Sequence, residues 1–435
     1  MKKIRFITTA AQRYIDDKMT KILILNVGVT NKGNRALVHS TIETIKRFIP
    51  DVEFNLMGPN PLTHEELQIK KQAGWGLSIR KPHYTIISLL YLIKCGCINL
   101  FRKFDIQIPI SKNSELFEYY DSDIVINSGG DSMSGEVGIG TLNTFINLIY
   151  AILLDKPVVL CADSLGYYSN PLLDSIAKFI FNRTSLILLR EELSKKWLDD
   201  NNIRNPKIYV TADPAFLLDV VSQSRVFEIL SNEGINELQK PLIGINPSGL
   251  ISKYAKGNDQ KCKGRITNIL AKVIDNLIEN LDASIIMIPH VYTTNFDDRV
   301  AINLIFCKVK NKSRVKIIKN EYTPQELKGI IGQCDLFIGA RMHATIASTS
   351  MLVPTIGIAY SHKMHGIIGE MLGQEKYVLD IKELDYDGLI SKINDAWENR
   401  EEVKKELEVK IPEMKEKAML NGKLIKELLD SLKVS

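Results

Sequence analysis

The sequence predicts an α/β protein of two doubly wound domains, and three observations carry that prediction. Short apolar runs alternate with helix-length amphipathic stretches along most of the chain, the pattern of parallel strands joined by crossover helices. The runs are apolar throughout rather than alternating, as strands covered on both faces require. At 435 residues the chain is too long for one ordinary core, and the alternation lapses over Asp219–Lys240, a polar stretch without a strand. That stretch reads as the linker between an N-terminal domain, residues 1–240, and a C-terminal domain, residues 241–435.

Taken in order, Lys21–Val27 is the first buried strand, and Thr30–Gly33 is a loop feeding a helix whose Val38, Ile42, Ile45 and Ile49 recur at helical spacing. The loop is neither a Walker loop nor a dinucleotide fingerprint. It is either a plain turn or, with Asn31, Asn34 and Arg35 at its mouth, a place for an anion or a sugar hydroxyl. Val52–Met57 is the second strand. A long irregular excursion follows, marked by Pro59, Pro61 and Gly74. Inside it Tyr84–Phe101 is apolar except at Lys94, Gly96 and Asn99, and Arg80, Lys81, Arg102 and Lys103 flank it. It is marginal against the roughly 20 apolar residues of a membrane span. It reads as a core helix or as an interfacial helix in weak peripheral contact with anionic lipid.

Ile124–Asn127 is the next strand, with Gly129, Gly130 and Asp131 at its carboxyl end. Paired glycines let backbone approach a ligand, and Asp131 accepts hydrogen bonds from hydroxyls. Pro157–Cys161 ends in Asp163, Leu186–Leu189 ends in Arg190, and Ile208–Thr211 precedes Asp213-Pro214. The second series comprises Leu242–Asn246, a helix around Ile266–Leu281, Ile285–Ile288 ending in His290, and Val315–Ile318. Then come Asp335–Ile338, a turn and short helix opening at Arg341 and His343, and Pro354–Tyr360 ending in His362, Lys363 and His365. Beyond Asp380 the chain is charged and helical, either solvated or packed across the domain junction.

Ligands of such sheets bind outside the strands' carboxyl ends, where helix N-termini favour anions. Arg341 adds a planar fork suited to phosphate or carboxylate, and His343 an imidazole, the side-chain type suited to proton transfer. Local capping roles are the alternative for both. The net charge of +5 is dispersed, which argues against a nucleic-acid partner. Six cysteines at irregular spacing suggest neither a disulfide framework nor a zinc site, and reduced cytoplasmic thiols are expected. The N-terminal apolar run is broken by threonines and soon meets charges, unlike a signal peptide; it reads as a leader, with Met19 a second candidate start.

G-A-R-M-H-A followed by V-P-T-I-G-I-A-Y-S-H-K-M-H-G resembles the signature of the polysaccharide pyruvyl transferases. So do Asn26–Leu37, Asn127–Ser132 (N-S-G-G-D-S), Leu189–Ser194 (L-R-E-E-L-S) and Thr211–Phe216 (T-A-D-P-A-F), in order from about Lys21 to Asp380. The resemblance implies two Rossmann-like domains facing a cleft, similar to the glycosyltransferase B architecture, with the acceptor on the N-terminal side and the donor on the C-terminal side. It implies phosphoenolpyruvate as donor substrate, no cofactor, and a sugar acceptor, free or lipid-linked. The product is a pyruvate ketal of a cell-surface polysaccharide precursor, made in the cytoplasm or at the inner face of the membrane.

Three residues are expected to act in catalysis: His343, Arg341 and Arg190, with both arginines pointing into the cleft. Asn31, Asn34, Gly129, Gly130, Asp131, Asp163, His290, His362, Lys363 and His365 are expected to bind substrate. The family pattern carries an acidic residue near Asn34, from which this chain departs. A nucleotide-sugar glycosyltransferase of the same architecture is the alternative. Glu375 and Glu383 match the glutamate spacing of many retaining members, but Tyr377–Leu379 between them reads as a strand. A sugar-binding relative without catalysis is the third reading.

Overall fold

A computed structural model describes residues 19–28, 31–58, 71–73, 82–128, 130–135, 139–204, 207–235, 239–249, 260–293 and 297–434. Thirteen strands among them form two all-parallel sheets. The first has seven strands in the order β3-β2-β1-β4-β5-β6-β7: β1 Thr20–Leu25, β2 Val52–Met57, β3 Lys71–Ala73, β4 Ile124–Asn127, β5 Val158–Asp163, β6 Leu186–Leu189 and β7 Ile208–Val210. The second has six in the order β10-β9-β8-β11-β12-β13: β8 Leu242–Asn246, β9 Ser284–Met287, β10 Val315–Ile317, β11 Leu336–Gly339, β12 Thr355–Ala359 and β13 Val378–Asp380. Both are doubly wound, as the alternation of the sequence predicts. Only β3 lies outside the predicted set; three residues are too few to show a period.

The two faces of β1 show why its run is apolar throughout. Ile22 and Ile24 pack with Val38, Ile42 and Ile45 of the helix Lys32–Phe48. Leu23 and Leu25 pack with Phe145, Leu148 and Tyr150 of the helix Ile139–Leu153. Each such side chain contributes about 1.5–3 kcal/mol on full burial. The apolar segment of the first domain is the helix Pro82–Arg102, set against the helix Ile139–Leu153 through buried Ser88, Cys95 and Ile98. Tyr150 Oη donates to the Ser88 carbonyl at 3.1 Å.

The expected linker is structured. Gln223–Asn232 is a helix whose Val226, Ile229 and Leu230 pack with Leu242, Ile286 and Ile330 of the second domain, so the chain changes domain ahead of it, near Leu218. The tail is the helix Arg400–Val434, which spans the junction. Val403, Leu407, Ile411, Met414 and Ala418 join the second domain's core, and Ile425, Leu428 and Leu429 join the first's. Between these, Asn421 grips the end of β7: its carbonyl accepts from Thr211 Oγ1 at 2.8 Å and its amide donates to the Ala212 carbonyl at 3.0 Å.

Candidate active site between the two sheets

The carboxyl ends of the two sheets face each other, and the loops after them meet. Asn31 forms an antiparallel bridge with Val291, and the Lys32 amide donates to the His290 carbonyl at 3.0 Å. Asn31 also caps the helix Lys32–Phe48, accepting from the Gly33 amide at 2.9 Å. Gly33 is required by what lies against it: a β-carbon there would stand 2.3 Å from His343 Nδ1. Gly366 packs on Glu191 in the same way, a β-carbon meeting its Cγ at 2.8 Å. Two glycines, one from each domain, thus let the opposite domain's functional side chain close up.

On the first rim, β5 is re-aimed at its end. Its register shifts between Cys161 and Asp163, with Ala162 at φ 55°, a conformation uncommon for a residue with a β-carbon. The shift turns Asp163 inward, where Asn127 Nδ2 donates to its Oδ2 at 2.8 Å and its Oδ1 is left without a partner. Burial outweighs the Asn127 bond and the nearby Arg190, pushing the Asp163 carboxyl up to about 8. Burial likewise pushes Glu191 up to about 7, although Ser164 Oγ donates to it at 3.0 Å and Ser194 Oγ also bonds it.

Arg190, expected as a donor ligand pointing into the cleft, is instead a buried brace. Its Nη1 donates to Asp213 Oδ2 at 2.8 Å, its Nη2 to the Gly130 carbonyl at 2.8 Å and its Nε to Ser164 Oγ at 2.9 Å. The reason is the carboxylate of Asp213 at the end of the adjacent strand, which a fork-shaped cation satisfies before any ligand arrives. Burial would raise Asp213, but His343 and then Arg190 outweigh it and hold the group well below the usual carboxylate range.

On the second rim, Arg341 is paired to Asp298, its Nη2 donating to Oδ1 at 2.6 Å. The same carboxylate accepts from the amides of Gly249, His290 and Val291 at 2.9, 3.1 and 3.0 Å, so Asp298 ties the loops after β8 and β9 to one arginine. Arg341 therefore lies at the expected place but with its fork engaged. His343 Nε2 stands 3.4 Å from Asp213 Oδ2 across the domain boundary without a hydrogen bond. His290 is buried. Burial, with the charges of His343, Arg341 and Lys32, pushes it down to about 3. His362 rests against the Tyr167 ring at 4.6 Å between centroids; burial and then Lys363 push it down to about 4.

Lys363 reaches across the cleft to bond Asp131. Enclosure would raise that carboxyl, but the ammonium outweighs it and holds Asp131 at about 2. Asp131 remains 45% exposed, so this ion pair, unlike those of Arg190 and Arg341, reaches solvent through its carboxylate.

The structure thus brings together Asn31, Gly130, Asp131, Asp163, Arg190, His290, Arg341, His343, His362 and Lys363. Asn34 lies on the first turn of its helix, with its amide 3.4 Å from where a β-carbon on Gly28 would stand. Gly129 lies outside the described residues. His365 is a correction: its Nδ1 is 2.7 Å from Glu375 Oε1 and its Nε2 3.5 Å from Asp380. The helix continuing through His365–Met371 rotates it away from the rim toward the edge strand β13. Glu375 is occupied there, and Val378–Asp380 is a strand, so the two-glutamate spacing has no place in the cleft.

Sequence reasoning missed Asp213, Glu191, Asp298, Lys32 and Asn421 as parts of the site. Asp213 and Glu191 stand within the quoted T-A-D-P-A-F and L-R-E-E-L-S, and their place at strand ends was the available signal. Lys32, buried with its ammonium on Glu321, opens the first helix. Asp298 and Asn421 carry no local signal. Asp163 Oδ1, His343 Nε2 and His362 Nε2 of the cleft are buried without a hydrogen bond among the described residues, the pattern expected where a ligand completes the bonding.

A family model described as polysaccharide pyruvyl transferase matches residues 31–362. The amylovoran biosynthesis protein AmsJ of Erwinia amylovora is 21% identical over 431 residues, covering 95% of this chain and 100% of that protein. Among solved structures, the UDP-GlcNAc 2-epimerase of Methanocaldococcus jannaschii superposes with TM-score 0.56 at 15% identity, covering 86% of this chain and 92% of the other. Anabaena HepE in complex with UDP and glucose gives TM-score 0.58 at 12% identity, covering 95% and 100%. At these identities the solved structures establish the glycosyltransferase-B-like fold alone.

Proposed function

Because the chain belongs to the polysaccharide pyruvyl transferase family, we propose that it moves the three-carbon unit of phosphoenolpyruvate onto two hydroxyls of a sugar in an exopolysaccharide precursor, leaving a pyruvate ketal and inorganic phosphate. The observation that carries this reading is His343, an imidazole of the second rim with an unpartnered Nε2, held 3.4 Å from the Asp213 carboxylate of the first.

The chemistry needs a proton moved twice. The first hydroxyl adds to C2 of the donor while its proton ends on the methylene, making a methyl group. The second hydroxyl then displaces phosphate, which departs with that hydroxyl's proton. His343 accepts and returns the proton, and Asp213 stabilises the imidazolium between the two transfers. Carboxyl and amide groups on the first rim, Asp131, Asp163 and Asn127, suit sugar hydroxyls; imidazoles and cations on the second suit the donor's carboxylate and phosphate.

Lys363 is the cation able to exchange partners. Its bond to Asp131 faces solvent, whereas the pairs of Arg190 and Arg341 are buried. Donor phosphate takes Lys363, and Asp131 is released to a sugar hydroxyl. No cofactor enters this scheme, since the donor carries its own leaving group. Phosphoenolpyruvate is a cytoplasmic metabolite, which sets the compartment.

The test is phosphate release from phosphoenolpyruvate in the presence of free, nucleotide-linked and lipid-linked sugars, with ketal formation followed by mass. Release that depends on an acceptor supports the reading; its absence with every acceptor, alongside UDP release from a nucleotide sugar, selects glycosyl transfer instead.

A further inference from the structure

We propose that the outward face of the helix Pro82–Arg102, continued by Phe104, docks the enzyme onto an anionic phospholipid surface. The face is apolar where a water-facing helix should be polar. Ile86, Leu90, Ile93, Leu100 and Phe101 fall within an arc of roughly 120° at 3.6 residues per turn. Ile86, Ile93 and Phe104 are 61%, 64% and 68% exposed. Scattered exposed apolar residues are ordinary, but a continuous stripe of this length marks an interaction surface.

The opposite side of the same helix fixes how it sits. Ser88, Cys95 and Ile98 are buried against the domain, the Ser88 carbonyl accepts from Tyr150 Oη at 3.1 Å, and the Tyr91 and Tyr150 rings meet edge-on at 6.4 Å. The helix is long and apolar enough to cross a membrane, but crossing would strip these contacts from the sheet's own helix layer. It therefore lies in the plane of the interface, with one face in the protein and the other in lipid.

Charge selects the occupant. From Leu67 to Phe104 the sequence has no Asp or Glu, while Lys70, Lys71, Arg80, Lys81, Lys94, Arg102 and Lys103 give it seven cations. Lys94 and Lys103 lie beside the apolar stripe, so an anionic surface meets both the apolar face and the charges. A second copy of the chain docked face to face would instead set these like charges against one another. The surface goes beyond pyruvyl transfer and stands or falls without it: no donor or acceptor is needed for binding. Its consequence for the enzyme is that acceptors presented at a membrane are met by a first domain already held there.

The test is sedimentation of the full chain with vesicles of phosphatidylcholine alone and of phosphatidylcholine with phosphatidylglycerol, without substrate. Binding is expected to the anionic vesicles and to weaken with salt. Lys94→Gln and Lys103→Gln should each weaken it about fivefold. The triple change Ile86→Ser, Leu90→Ser, Ile93→Ser should abolish it with the melting temperature unchanged, because all three side chains are exposed. Failure of the wild-type chain to sediment with anionic vesicles overturns the proposal. So does light scattering that shows a wild-type dimer which the triple variant dissociates, because the stripe would then be a contact between copies.

Discussion

The two rims of the cleft solve the burial of ionisable groups in opposite ways. The first rim collects Asp131, Asp163, Glu191 and Asp213 above a buried Arg190, and its most enclosed carboxyl without a cation of its own, Asp163, keeps its proton to about 8. The second collects His290, Arg341, His343, His362 and Lys363, and its enclosed imidazoles His290 and His362 give theirs up, with values near 3 and 4. Enclosure favours the neutral form on both sides. The carboxylates that stay charged beside a cation are paired, and one of the pairings, Asp131 with Lys363, runs from one rim to the other, while His343 approaches Asp213 across the same boundary. The difference teaches that the cleft is assembled from two electrostatically complementary halves, and the proposed division into a hydroxyl side and an anion side rests on it.

That division can be broken most severely at its centre. His343→Ala should lower acceptor-dependent phosphate release by roughly 10² to 10⁴-fold while phosphoenolpyruvate still binds, measured by turnover and calorimetry; near-normal turnover would move the proton-transfer role to His290. Arg190→Met should cost about 3–5 kcal/mol of stability in denaturant unfolding, because it strands the buried Asp213. If the variant stays as stable as wild type but loses donor affinity, Arg190 is a ligand and the division of labour is wrong. Lys363→Met should weaken phosphoenolpyruvate binding by about 1.5–3 kcal/mol, with a much smaller stability change, since Asp131 remains open to water.

The smallest effects test the opposite protonation of the two rims. Between the ordinary carboxyl range and about 8, the folded chain holds a proton on Asp163 that the unfolded chain has lost, so this group's contribution falls as pH rises across that window. Between about 3 and 6.5 the unfolded chain protonates His290 and the folded chain does not, so its contribution rises with pH and is complete above 6.5. Melting curves of Asp163→Asn against wild type should therefore diverge from pH 4 to 8, the variant gaining, and run parallel above. His290→Gln should differ from wild type in slope only below 6.5.

Much of this arrangement was legible in the sequence because parallel strands advertise themselves. Apolar runs located every strand except the three residues of β3, and the rule that ligands gather at carboxyl ends placed His290, Arg341, His343 and Lys363 together. The pairings were not legible. The strand-end rule makes Arg190 a ligand because its partner Asp213 lies 23 residues on, and Arg341 is neutralised by Asp298, 43 residues back. Such partners are chosen by tertiary geometry, which local spacing does not encode. The polar stretch Asp219–Lys240 reads as a linker although Val226, Ile229 and Leu230 within it have helical spacing, since the exposed face of the helix Gln223–Asn232 is so polar. Nearness to Lys363 assigns His365 to the rim, but the backbone rotation between them turns it toward Glu375 and Asp380.

The helix Arg400–Val434 has a mechanical consequence. The chain leaves the first domain near Leu218 and returns between Ala418 and Asn421, and the returning helix packs along the 214–217 turn where the chain departs. Two covalent crossings held side by side act as a pair of hinge pins. A rotation about them would make and break the Asp131–Lys363 bond and the approach of His343 to Asp213 together.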